Sequence, residues 1–140
     1  MKQEDIKLLL RDLSARLPYG VKCVISEDYH YYERNKGISP VDCEVVLNGM
    51  YLHSFINNSV LVTALIVDIK PYLRLMSSMT EEEREEFRSV GGVMSHNLQN
   101  DSWAISAFTP EAYDWLNRHH FDYRGLIPMG LALEATEGMY

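Results

Sequence analysis

The side chains of this chain best suited to chemistry are its five histidines and the acids near them. Ser95, His96 and Asp101 fall within one short stretch and hold the three functional groups of a hydrolytic triad. A nucleophile of that kind needs a sharp elbow or a base placed beside it, and SHNLQND has neither, so the triad reading is disfavoured. His119 and His120 are adjacent. On a helix they would point about 100° apart and could not easily grip one metal ion. They are expected instead to close the last turn of a helix, where its negative end favours their protonated forms. His53 is expected opposite Glu44 across a hairpin, where an ion pair is the ordinary meaning. His30 has no partner that the sequence identifies. Cys23 and Cys43 stand 20 positions apart with no C-x-x-C, which argues against a disulfide framework and a zinc ribbon and for reduced thiols. Gly91-Gly92 fits no phosphate-binding pattern. No cofactor, metal ligand set or catalytic residue is therefore assigned.

Aromatic side chains offer a different chemistry, that of contact. Tyr29, Tyr31 and Tyr32 lie close together, and Trp115, His119, His120, Phe121 and Tyr123 form a second group. Both could supply interface anchors, because large rings bury much area at low entropic cost. Stacking on bases is disfavoured: the net charge is −7, and Lys and Arg are scattered singly rather than gathered into a stripe. Direct nucleic-acid binding is not expected.

The elements that must position these groups are legible in part. Ile6, Leu9, Leu10, Leu13 and Leu17 recur at spacings of three and four and predict a helix over 2–17, stopped by Pro18 and Gly20. Lys7, Arg11, Asp12 and Arg16 are expected outside its apolar stripe. Strands are expected over about 21–67. Asn48-Gly49 suits a two-residue turn and would set Leu47 opposite Met50 and Val45 opposite Leu52. VLVTALIV, from Val60 to Val67, reads as the centre of the sheet. Pro71 should end the strands.

The stretch DIKPYLRLMSSMTEEEREEF is the pivot between this strand region and a helical part over 80–140. Thr80 and Glu83 form a capping box that starts a helix at Glu81. GGVMSHNLQND is expected to be a loop. Thr109 followed by Pro110 predicts a further helix running to about Arg118. Phe121 to Tyr140 is too apolar for a free tail and too broken for one helix, so it should dock on the sheet or on a partner.

The whole predicts one α+β domain over 1–140: an N-terminal helix, a small antiparallel sheet that could curl into an SH3-like barrel, and short C-terminal helices. No segment is long and apolar enough for a membrane span, and MKQEDIKLLLRDL lacks a signal-peptide core, so a cytoplasmic location is expected.

KPYLRLMSSMTEEE and WLNRHHFDYRGLIPMGLALEATEGMY resemble segments of small uncharacterised proteins common in gut bacteria of the Bacteroides group and in their phages and mobile elements. Leu75 departs from that pattern, which has proline there. The resemblance carries no site residues. The reading that follows is a non-enzymatic protein-binding module, with another protein or a second copy of itself as partner. The alternatives are a hydrolase or metal-dependent enzyme using His96, Asp101, His119 or His120, and an acidic inhibitor of a host nuclease.

Overall fold

The leucine spacing near the N-terminus produces helix α1 (Gln3–Arg16), and Pro18 and Gly20 turn the chain out of it through a 3₁₀ turn closed by Gly20 at φ 68°. The computed structural model describes residues 1–25, 44–48, 51–56, 59–65, 69–100, 102–107 and 109–140. Its class is α+β: an N-terminal helix, small sheets and further short helices. In chain order the strands are β1 (Cys23–Ile25), β2 (Glu44–Asn48), β3 (Tyr51–Ile56), β4 (Ser59–Leu65), β5 (Ile69–Leu73), β6 (Gly92–Asn97), β7 (Ser102–Ala107) and β8 (Leu133–Glu134). Helices α2 (Glu81–Ser89) and α3 (Pro110–Arg118) flank the β6–β7 pair.

Among the described residues the strands form two three-stranded sheets, ordered β1-β5-β8 and β2-β3-β4, and an antiparallel pair β6-β7. No barrel closure is seen among them. In the second sheet β3 lies between β2 and β4, so among the described residues β4 occupies an edge position, not the expected centre. Its hairpin register also differs from the expectation. Asn48 pairs with Tyr51 and Leu47 with Leu52, and His53 faces Val46, leaving Glu44 opposite Phe55. The register thus does not set His53 opposite Glu44. A slip of two residues preserves the in/out alternation, so hydrophobic pattern cannot select between these registers. Gly49 and Met50 lie outside the described residues.

Pro71 does not end the strands but sits inside β5, fully buried and opposite Cys23. The reason is which way its nitrogen points. Tyr72 donates its amide to Lys22 O at 2.9 Å, which makes the neighbouring Cys23–Pro71 pair the non-hydrogen-bonded kind. The missing amide of Pro71 therefore faces the other edge, where β8 begins pairing only at Tyr72. The chain also returns to β5 one residue further on: Arg74 N donates to His120 O (2.7 Å) and Asp122 N to Arg74 O (2.8 Å), so Phe121 bridges in parallel beside Arg74.

Two apolar clusters result. In one, Leu9 and Leu13 of α1 pack on Val21, Cys23, Ile69 and Leu73, closed by Leu126, Leu131 and Ala132. In the other, Met79, Phe87, Ala112, Trp115, Leu116 and Phe121 join α2 to α3. Both helix starts form as expected: Thr80 and Glu83 complete the capping box, and Thr109 caps α3 with Pro110 in its first turn. The stretch 92–107, expected to begin as a loop in a helical region, is instead the β6–β7 hairpin. It is anchored where Gly92 lies against the Phe87 ring so closely that a Cβ would come within 2.3 Å of it.

Candidate functional site

The site is built on an ion cluster that amphipathic spacing did not reveal. Asp12 and Arg16, expected outside the apolar stripe of α1, are both fully buried. Arg16 donates through Nε and Nη2 to the two carboxylate oxygens of Asp12 at 2.8 and 2.9 Å, and Nη2 also donates to Phe121 O at 2.7 Å. Arg124 also donates to Asp12 Oδ1, at 2.6 Å. One carboxylate therefore serves two guanidinium groups. Nη1 of Arg16 has no acceptor among the described residues, and its guanidinium carbon lies 5.6 Å from the centroid of the Tyr123 ring. Arg124 stacks closer on the same ring, at 4.4 Å. Beyond it stands Tyr113, with ring centroids 5.6 Å apart, while Tyr123 Oη donates to Asn117 Oδ1 at 3.2 Å.

These groups surface as a groove of about 440 Å³ between α1 and α3, lined by Leu8, Arg11, Tyr113, Asn117, Tyr123 and Arg124. Tyr113 is 44% exposed. Burial pushes the Tyr123 phenol above its ordinary pKa against the pull of Arg124, so it stays protonated and can donate. Among the described residues no acid lines this groove. A second, polar hollow of about 480 Å³ has the opposite character, with Glu83, Glu134 and Glu137 around Arg74, Thr80 and Tyr140. Its arginine is already engaged, donating bidentately to Glu83 at 2.9 Å on both branches.

The expected contact residues divide. Trp115 and Phe121 stack with centroids 5.8 Å apart inside the α2–α3 core and are 6% and 0% exposed. Tyr123 does reach the groove. Tyr29, Tyr31 and Tyr32 lie outside the described residues, as does Asp101. Tyr113, one turn of α3 before Leu116, is exposed while Leu116 is fully buried. Its partners could not be read from the sequence, because they come from a turn after α3 whose path the spacing does not define.

The histidines also depart from expectation. His119 follows α3, partly buried against Trp115, and its pKa is lowered by burial despite Glu83 and Glu86 nearby. His120 is buried at φ 61° and stacks on Tyr140 with centroids 3.7 Å apart. Burial, then Arg16, push its pKa down to about 4. Desolvation outweighs the helix dipole, so both are neutral near pH 7 rather than protonated. His96 is exposed in β6, and among the described residues no histidine lines either groove. Among the described residues no three His, Cys, Asp or Glu side chains cluster as a metal would need, and no helix is long and apolar enough to cross a membrane.

No family model, no curated protein and no solved structure matches this chain.

Proposed function

We propose that the chain is a non-enzymatic module that binds another protein through the α1–α3 groove. The observation that carries this reading is the exposed ring of Tyr113 beside the Tyr123–Arg124 stack, with Leu8 and Arg11 on the facing helix. Tyrosine and arginine are the residue types that most often dominate interfaces, since each combines a broad apolar surface with a directional polar end. Here they are held in place before any partner arrives: Asp12 and the Tyr123 ring fix Arg124, and Asn117 fixes the Tyr123 hydroxyl. Preorganisation of this kind lowers the entropy cost of association.

The test compares proteins captured from a lysate of the source cells by the wild-type chain and by the Arg11→Ala/Tyr113→Ala double variant. Both positions are exposed, so the variant should fold. A partner bound by wild type and lost from the variant supports the reading. Identical captures by the two would defeat it.

A further inference from the structure

We infer that the segment seated in the α1–α3 groove is acidic: a short stretch of the partner whose carboxylates meet Arg11 and Arg124 while an apolar neighbour lies on Leu8 and Tyr113. This rests on the protein-binding reading above and names the partner's chemistry.

The argument is charge complementarity. The chain holds 20 Asp and Glu against 13 Lys and Arg, yet among the described residues the lining of this groove contains two arginines and no acid. Arg11 is exposed and has no ion-pair partner among the described residues, unlike Arg74, Arg84, Arg88 and Arg118, each of which faces a carboxylate. Arg124 is paired, but to an Asp12 that already accepts two hydrogen bonds from Arg16. The three groups sum to one positive charge, and Arg124 is the arginine of the set with some exposure, at 17%. An arriving carboxylate would neutralise that excess. A guanidinium can present several donors in a fixed plane, so binding Asp12 leaves others for a second acceptor. Tyr113 and Leu8 supply the apolar floor that makes a purely ionic ligand insufficient. A basic segment would meet Arg11 and Arg124 with like charge, and its natural place would be the Glu83–Glu134–Glu137 hollow instead.

The experiment selects a display library of random short peptides on the full chain, with counter-selection on the Arg11→Ala/Tyr113→Ala variant. Peptides that require the groove and are enriched in Asp and Glu beside an apolar residue are the expected result. A synthetic winner should then bind about tenfold more weakly when its acids become the corresponding amides, and should lose affinity as salt rises. Arg11→Lys should restore part of what Arg11→Ala loses. Groove-dependent peptides without acidic enrichment, or amide versions that bind equally well, would overturn the acidic inference while leaving the protein-binding reading standing. If no selected peptide depends on the groove, both fall.

Discussion

Arg16 reaches back one turn along α1 to Asp12, gripping both of its carboxylate oxygens at 2.8 and 2.9 Å with neither side chain exposed to water. The pair also carries the tertiary fold, since Arg16 binds Phe121 O and Asp12 holds Arg124, joining the first helix to the last twenty residues. Removing one member strands the other's charge in the interior, which costs far more than the net worth of the pair.

Asp12→Ala should therefore destabilise by about 3–5 kcal/mol, because two arginines lose their counter-ion. Replacing both residues of the helical pair with apolar ones, as in Asp12→Leu/Arg16→Met, should recover part of that loss. Urea unfolding monitored by circular dichroism measures both. A single variant as stable as wild type would show that the buried cluster contributes nothing.

Gly92→Ala should cost about 1–3 kcal/mol through overpacking, since its Cβ would fall 2.3 Å from the fully buried Phe87 ring. The companion change Phe87→Leu opens that space, so the double variant should be less destabilised than the sum of the two singles. Strict additivity in thermal melts would rule out the contact as the cause.

Stability should fall with acidification before the carboxylates titrate. His120 has a folded pKa of about 4, depressed from an ordinary 6.5, mainly by burial. Above pH 6.5 it is neutral in folded and unfolded chains alike. Between 6.5 and about 4 the unfolded chain binds the extra proton, and stability drains by up to about 1.4 kcal/mol per pH unit. His119, also depressed, acts in the same direction. Glu83, whose pKa is lowered by Arg74 and the Thr80 amide against the opposing effect of burial, adds its loss only at lower pH, as it protonates. His120→Asn tolerates the positive φ and should flatten the upper part of this decline. An imidazole midpoint for His120 at or above 6.5 by NMR would contradict the mechanism.

Deleting 121–140 should yield an aggregated or misfolded chain. Phe121 and Leu126 are fully buried, one in each apolar cluster, and β8 completes the edge of β5. The end of the segment is tied as well: Tyr140 Oη donates to Tyr72 O at 2.8 Å and accepts from Lys22 N at 3.1 Å. A folded, monomeric truncation would mean that this segment is dispensable to the core.

The elements whose signals are local were legible from the residues alone. Leucines at three- and four-residue spacing defined α1, Thr80 with Glu83 started α2, and Thr109-Pro110 started α3, because a cap is settled by residues a few positions apart. The apolar content of 121–140 called for docking on the sheet or on a partner, and packing placed Phe121 and Leu126 in the chain's own clusters. Tertiary structure alone decided what depended on distant partners. Asp12 and Arg16 read as solvated charges until Phe121 O and Arg124 approached from the other end of the chain. Pro71 read as a stop until β1 and β8 fixed which edge its nitrogen faced. His119 and His120 read as protonated caps because the dipole is a local effect, whereas the burial that neutralises them comes from the fold around them. The groove belongs to the same class: Arg11 and Tyr113 are about a hundred residues apart, and only the packing of α1 near α3 makes them neighbours.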